Sequence, residues 1–335
     1  MRFLNLICKL GLFTFAFSTH VDYLKHAPPD YGKLVEYAQY ASIAYCLKKG
    51  LSTGKLGENG TNCPLEVCTS NEFKDTRIVR TFNCNEWSEG GSGYCAIDKK
   101  QKRILLVFRG TASRRDWTSN IDFFPVKYTP LSYTGELLKT AEPKIECENC
   151  SAHRGFYGLL KKPCIRSVLE EVIEMKEKHP DYNLVIVGHS LGAALTLLSG
   201  IEFQLLGYEP LVLSYASPRV GNSGLMAFAD KLFNTKNLIQ EIDSTSDFDK
   251  GYIRVVHKND LIPCLPPSPI FEQCGYEYFI TKRDLPHGPS TVERRGSGYF
   301  DDQLVSDQTI TNRNMWHSFL RKYEHTNYLV KISGC

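Results

Sequence analysis

The stretch Leu184-Val-Ile-Val-Gly-His-Ser-Leu-Gly192 decides the fold of this chain. Its four apolar residues predict a buried strand, and the apolar run from about Leu191 to Leu206 predicts a helix. Between them stands the pattern G-x-S-x-G, whose small residues allow a sharp strand-to-helix turn with the serine held outward. The pattern is common by chance, but a strand before it and a helix after it are the context that such a turn requires. We therefore expect Ser190 to be a nucleophile.

Strands and helices alternate outward from this turn. Ile104–Phe108, Leu211–Tyr215 and Tyr252–Val256 read as further buried strands, and the chain around Leu34–Tyr45 reads as a helix with Asp30 as its N-cap. Alternation of this kind predicts a mainly parallel sheet covered by helices on both faces, which is an α/β fold.

The composition is that of a globular protein. The 335 residues are 42% hydrophobic and 23% charged, which excludes disordered, collagen-like and coiled-coil classes. The 40 Lys and Arg residues nearly balance the 37 Asp and Glu residues, for a net charge of +3. A balance so close to neutral predicts no nucleic-acid partner.

The N-terminal region predicts entry into the secretory route. Arg2 precedes an apolar run, Leu4–Phe17, and Ala16-Phe-Ser18 has the form of a cleavage site. A membrane anchor is the alternative, but the run is short for a span of about 20 residues. We expect a signal peptide over residues 1–18, a single domain over 19–335, and a protein that is secreted or retained in a lumenal compartment. The 12 cysteines agree with an oxidising compartment.

A nucleophilic serine needs a base and an acid, which follow it in the order Ser, Asp or Glu, His in folds of this class. Asp260 is the best acid because it follows the strand Tyr252–Val256 by a few residues, and catalytic groups of open α/β sheets collect at the carboxyl ends of the strands. The residues alone leave three candidates for the base, which are His287, His317 and His325.

Several further stretches, taken together, resemble the fungal-type triacylglycerol lipases known as class 3 lipases, of which feruloyl esterases are close relatives. The likeness covers nearly the whole chain after the signal peptide. Besides Gly188–Gly192, the matching stretches are Ala41-x-x-Ala44-Tyr45-Cys46, Val107-Phe-Arg-Gly-Thr111, Ala152-His-Arg-Gly-Phe156, Ala216-Ser-Pro-Arg-Val-Gly221 and Arg254-Val-Val-His-Lys-Asn-Asp260.

The resemblance implies the α/β-hydrolase fold with a helical lid, and it selects the histidine. The family carries a His-x-x-Tyr-aromatic stretch near its last cysteine, and His325-Thr-Asn-Tyr-Leu329 matches it with leucine in the aromatic position. His325 is therefore the expected base, with His317 second. The expected triad is Ser190, Asp260 and His325.

The resemblance also implies an oxyanion hole and a lid. Thr111 would contribute its backbone N–H and its hydroxyl, and Leu191 a second backbone N–H. In the lid segment, Trp117 and Ile121 would share one helix face that covers the site in water or contacts a lipid surface. A surface helix packed permanently on the body is the alternative. Trp117 favours a lipase, because feruloyl esterases have a more polar segment here.

The expected activity is therefore hydrolysis of lipid esters of glycerol at an oil–water interface through an acyl-serine intermediate, with no metal and no organic cofactor. A carboxylesterase acting on soluble or aromatic esters is the second interpretation, and a phospholipase is a third. A catalytically inactive lipase-fold protein that binds lipid is the alternative outside enzymes. The oligomeric state is not legible in the sequence.

The cysteines predict disulfide bonds. Removal of Cys8 with the signal peptide leaves 11. The resemblance implies the pairs Cys46–Cys335, Cys63–Cys68 and Cys147–Cys150, whereas proximity in sequence suggests Cys84–Cys95 and Cys264–Cys274, which leaves Cys164 free. Reading Cys147-x-x-Cys150 as half a zinc site would need a second pair and a reducing compartment. Asn59 and Asn149 begin weak glycosylation sequons.

Overall fold

A computed structural model describes residues 27–58, 60–84, 91–110, 124–137, 139–142, 145–296 and 322–335. The helices of these residues are α1 Pro29–Ala44, α2 Leu131–Thr134, α3 Arg154–Leu160, α4 Pro163–Lys178, α5 Leu191–Leu205, α6 Ser223–Leu232, α7 Thr235–Thr245 and α8 Lys322–Thr326. The strands are β1 Gly54–Lys55, β2 Arg77–Asn83, β3 Ser92–Asp98, β4 Arg103–Arg109, β5 Pro125–Lys127, β6 Ser151–His153, β7 Asn183–His189, β8 Leu211–Tyr215, β9 Gly251–His257, β10 Tyr276–Ile280, β11 Val292–Gly296, β12 Asn327–Tyr328 and β13 Val330–Lys331.

A sheet in the order β1-β2-β3-β4-β7-β8-β9-β10-β11 forms the centre of the described structure. The five strands from β4 to β10 pair in parallel, and antiparallel strands extend the sheet at both edges. The parallel register aligns His189 with Tyr215 and Tyr215 with Val255, so β7, β8 and β9 end at the same edge. This edge carries the candidate site.

Helices cover both faces of the sheet, as the sequence predicts. In β4, Ile104, Leu106 and Phe108 pack with α4, α5 and α6, whereas Leu105 and Val107 pack with α1 and α7. Because successive side chains of a strand point to opposite faces, a continuous apolar run such as Ile104–Phe108 is buried on both sides.

The boundaries near the turn agree with the sequence to within a residue or two, but other elements differ. Asp30 lies in the first turn of α1 and is not its N-cap; the cap position is Pro28, and the Asp30 carboxylate binds the Tyr278 hydroxyl at 2.7 Å and the Arg294 guanidinium at 2.7 Å. The helix α7 and the strand β10 were not predicted.

The strand β10 holds a buried ion pair with its parallel neighbour β9. Arg254 Nη2 lies 3.0 Å from Glu277 Oε2, and both side chains are buried. Charges at positions that face the core hide the apolar run by which a buried strand is recognised in a sequence.

None of the helices in the described parts of the chain combines the length and the apolar character needed to cross a bilayer.

The disulfide bonds agree with the family-derived pairs and correct the two pairs inferred from proximity. Cys46–Cys335, Cys63–Cys68 and Cys147–Cys150 are bonded. Cys84 bonds to Cys164, however, so Cys164 is not free, and Cys95 and Cys274 are buried free thiols. The predicted bonds Cys84–Cys95 and Cys264–Cys274 are therefore wrong.

The register of the β2–β3 hairpin explains the first error. Cys84 lies at the hairpin end, where its N–H binds Gly91 O at 3.1 Å, whereas Cys95 lies opposite Arg80. Four residues of strand separate these levels by about 13 Å, at roughly 3.3 Å per residue. A disulfide needs Cα atoms within about 7 Å, and Cys164 at the start of α4 meets that condition with a Cα–Cα distance of 5.4 Å.

The second error follows from the direction of neighbouring side chains. Gln273 Nε2 binds Pro263 O at 3.0 Å, so this side chain points toward the turn that holds Cys264. Cys274, the next residue, packs instead in the buried cluster that contains Tyr252.

Candidate active site

Ser190 occupies the turn between β7 and α5 in a strained backbone conformation. Its φ and ψ are 59° and −127°, a region that costs a non-glycine residue about 1 kcal/mol or more. Both neighbouring glycines are required sterically: a Cβ at Gly188 would lie 2.5 Å from Gly192 O, and one at Gly192 would lie 2.6 Å from Phe108 O. The turn therefore has the form that the motif predicts.

The structure brings Ser190, Asp260 and His325 together. His325 Nε2 lies 2.9 Å from Ser190 Oγ, and His325 Nδ1 lies 2.9 Å from Asp260 Oδ2. Asp260 follows the carboxyl end of β9, and His325 lies in α8. A base that contacts a nucleophile and is itself oriented by a carboxylate is the arrangement that activates a serine hydroxyl.

His287, the other candidate histidine that the structure describes, does not form part of this contact network. His287 is buried elsewhere, where its Nδ1 accepts a hydrogen bond from Leu329 N–H at 3.1 Å. His317 lies outside the described residues.

Asp260 is buried but well supplied with donors. Its Oδ1 accepts from Ile262 N–H at 3.0 Å, and its Oδ2 accepts from the Tyr328 hydroxyl at 2.5 Å as well as contacting His325. Burial alone would raise the pKa of this carboxyl, but the interaction with His325 and the hydrogen bonds outweigh burial and lower it. Asp260 is therefore ionised at neutral pH and able to stabilise a positive charge on His325.

The expected oxyanion donors are described in part. Leu191 is the first residue of α5, and the first N–H groups of a helix have no acceptor within that helix. Thr111 lies outside the described residues, but Gly110 directly before it lies at the serine: a Cβ there would be 2.9 Å from Ser190 Cβ. The predicted lid residues Trp117 and Ile121 also lie outside the described residues.

Three residues at the site were not predicted, which are Tyr45, His189 and Tyr328. The His189 ring lies between Tyr45 and the catalytic candidate His325, with Nδ1 2.6 Å from Tyr45 Oη and Nε2 2.7 Å from His325 O. Tyr328 donates to Asp260. All three residues stand in the motifs quoted above, but the sequence analysis assigned them no role.

Two further predictions concern modification and metals. Asn149 is exposed in the loop between Cys147 and Cys150, and Asn59 lies outside the described residues. In the described parts of the chain, no three His, Cys, Asp or Glu side chains are grouped so that they could hold a metal ion.

Comparison with known proteins gives one consistent result. Residues 105–269 match the family model described as Lipase (class 3). LIH1 of Saccharomyces cerevisiae is 34% identical over 92% of this chain and 95% of that protein, and "Secreted mono- and diacylglycerol lipase 2" of Gibberella zeae is 28% identical over 79% and 65%. The crystal structure of Lip2 lipase from Yarrowia lipolytica superposes with a TM-score of 0.72 at 26% identity, covering 91% of this chain and 95% of that one. With these similarities and its parallel sheet and serine turn, the chain belongs to the class 3 lipase family and has the α/β-hydrolase fold.

Proposed function

We propose that this chain is a secreted lipase that hydrolyses carboxylic esters of glycerol, with Ser190, Asp260 and His325 as its catalytic triad. The observation that carries the proposal is the position of His325, 2.9 Å from both the Ser190 hydroxyl and the Asp260 carboxylate. The choice of glycerol esters as substrates rests on the family and on the Gibberella zeae relative, a secreted mono- and diacylglycerol lipase.

In the proposed reaction, Ser190 Oγ attacks the ester carbonyl while His325 Nε2 takes the hydroxyl proton. Asp260 holds the imidazole by its Nδ1–H and stabilises the imidazolium that forms. The imidazolium then gives its proton to the leaving glycerol oxygen, which leaves an acyl-serine. Water, activated by the same His325 nitrogen, attacks the acyl-serine and releases the fatty acid.

The backbone N–H of Leu191 and the N–H and hydroxyl of Thr111 are proposed to bind the oxyanion. Their support is the position of Leu191 at the start of α5 and of Gly110, next to Thr111, beside Ser190. Thr111→Val should lower kcat about 10²-fold, the usual loss for one such donor. A Thr111→Val enzyme with full activity would show that this residue is not a donor.

The first test is Ser190→Ala, assayed on tributyrin. We expect the rate to fall by at least about 10⁴-fold while the circular dichroism spectrum is unchanged. A matched control is Ser199→Ala in the same helix, because the buried Ser199 hydroxyl makes no hydrogen bond in the described structure and lies two turns away. Activity that survives Ser190→Ala would refute the proposal. A wild-type protein that neither hydrolyses esters nor reacts with an organophosphate would favour the inactive lipid-binding alternative.

The proposal includes a lid at Trp117 and Ile121 that makes transient contact with the lipid surface. The initial rate should be measured against tributyrin concentration through the solubility limit. A rate that rises sharply once droplets appear would support a lid that opens at an interface. Saturation below the limit would contradict the lid and favour an esterase for soluble esters.

We further propose that residues 1–18 are a signal peptide and that residues 19–335 form a single domain in the secretory route. The four disulfide bonds in the described structure and the secreted relative agree with an oxidising, extracellular or secretory location. N-terminal sequencing of the secreted protein should begin at Thr19. Treatment with an N-glycosidase tests for sugar at Asn149 and Asn59 through a loss of mass.

A further inference from the structure

His189 lies directly behind the proposed triad with both ring nitrogens engaged. It is 1% exposed, and its ring centroid lies 4.8 Å from that of His325. Nε2 faces the backbone oxygen of His325 at 2.7 Å, and Nδ1 faces Tyr45 Oη at 2.6 Å. The hydrogen bond to His325 is thus to its main chain, and the two imidazole rings are in contact without a hydrogen bond between them.

The chemistry of the partners fixes the proton positions. A carbonyl oxygen can only accept, so Nε2 of His189 must carry the hydrogen and donate it. Nδ1 of the neutral ring is then an acceptor, and the Tyr45 hydroxyl donates to it. A neutral His189 in one tautomer satisfies both contacts.

The main chain of His325 needs such a donor. His325 is the last residue but one of α8, which ends at Thr326. Its carbonyl is among the last of that helix, and these carbonyls have no N–H partner within the helix. The side chain of His189, from outside α8, supplies the donor that this carbonyl lacks within the helix.

We infer that His189 is a positioning residue that holds the backbone carbonyl of His325 and thereby sets the reach of its imidazole to Ser190 and Asp260. This inference rests on the proposed function. It adds a second role for the G-x-S-x-G turn. The turn supplies the nucleophile Ser190, and the residue before that serine, His189, holds the base in position.

The electrostatics of the pocket suit this role. Burial, with the adjacent His325 adding to it, lowers the pKa of His189 to about 3, although the contacts with the His325 carbonyl and Asp260 oppose that shift. His189 is therefore neutral at neutral pH. A second positive charge does not arise beside His325 when that residue takes the serine proton.

Tyr45 is itself fixed by its neighbours in sequence and space. It follows α1, and the next residue, Cys46, is bonded to Cys335 near the end of the chain. Its Oη also lies at the end of β4, since a Cβ on Gly110 would be only 2.6 Å from it. The acceptor nitrogen of His189 thus contacts a rigid donor.

The test compares two amide variants that differ by one methylene. In His189→Gln the side-chain amide can reach the His325 carbonyl, as Nε2 does. In His189→Asn it reaches only as far as Nδ1 and can contact Tyr45 alone. We expect kcat on a soluble p-nitrophenyl ester to fall about 10²-fold in the Asn variant, the loss expected from a misplacement of about 1 Å. The Gln variant should stay within about tenfold of wild type, and KM should change less than about twofold in both, because substrate binding is not touched.

Circular dichroism and the thermal midpoint establish that each variant is folded, and Ser190→Ala is assayed in parallel. Equal kcat values for folded Asn and Gln variants would overturn the inference, as would a folded Gln variant that falls below a tenth of the wild-type kcat. If neither variant folds, His189 is required for the fold and the positioning role is likewise overturned. Failure of the proposed function itself would appear separately, as activity in Ser190→Ala.

Discussion

Acidification should destabilise this fold through the buried His287, and His287→Gln should remove that part of the loss. His287 is fully buried. Its Nδ1 accepts the Leu329 N–H at 3.1 Å, and its Nε2 lies 3.3 Å from Arg283 O, so the neutral ring satisfies both partners. A proton on Nδ1 would oppose the Leu329 N–H. Burial lowers the pKa of His287 to about 4, and the adjacent His257 ring contributes in the same direction.

The sign and size of this change in the free energy of unfolding follow from the linkage between proton binding and folding. An unfolded histidine has a pKa near ~6.5, so between about pH 6.5 and 4 the unfolded chain binds a proton that the folded chain does not. The stability due to the neutral ring is complete above pH 6.5 and is lost as the pH falls toward 4. Between pH 7.5 and pH 5.0 this amounts to about 2 kcal/mol for one histidine.

The assay is urea unfolding followed by circular dichroism at pH 7.5, 6.5 and 5.0, on the wild-type protein and on His287→Gln with disulfides intact. Glutamine can accept from Leu329 N–H and donate to Arg283 O, but it does not titrate. All other groups, including His189, are common to both proteins, so they cancel in the difference between the two unfolding free energies. That difference should change by about 2 kcal/mol between pH 7.5 and 5.0. A variant that loses as much stability as the wild type would refute the reasoning.

Three further predictions follow from single contacts. Replacing Cys84 and Cys164 by serine should lower the unfolding free energy by about 4 kcal/mol, because the bond closes a loop of 80 residues. Peptide mapping without reduction that found Cys84 linked to another cysteine would contradict this connectivity. Tyr328→Phe should move the acid limb of the kcat/KM profile to higher pH, since Asp260 loses a donor and attracts a positive imidazolium more strongly; an unmoved limb argues against this coupling. Glu277→Gln should cost about 3 kcal/mol in urea unfolding because it removes the carboxylate that pairs with the buried guanidinium of Arg254; a loss below about 1 kcal/mol would contradict a stabilising role of this pair.

The parts of the fold that the sequence predicted are those set by local chemistry. The serine turn needs two glycines for steric reasons that hold within five residues, and the flanking apolar runs need only be buried. The placement of Asp260 followed from one topological rule, that parallel strands end together. The choice of His325 needed the family resemblance, because nothing local distinguishes it from His287 or His317.

The missed features depend on contacts between distant segments. The partner of Cys84 is set by the β2–β3 register and by the start of α4, which lies 80 residues away. The strand β10 was not recognised because Glu277 interrupts its apolar run. The residue that neutralises this charge, Arg254, lies in another strand. A pattern within one segment carries no information about either contact.

The catalytic candidate His325 is held by a different kind of element from the other two residues of the triad. Ser190 and Asp260 follow the ends of interior strands, whereas His325 lies in the last turn of α8, outside the sheet. Three separate contacts address this difference. His189 holds the His325 carbonyl, Tyr328 ties the following strand to the Asp260 carboxylate, and Cys335 joins the C-terminal segment to the end of α1. These contacts reach three different places, which are the end of β7, the loop after β9 and the turn after α1, so together they restrict the movement of α8. The position of His325 therefore depends on side chains that take no part in the proposed chemistry.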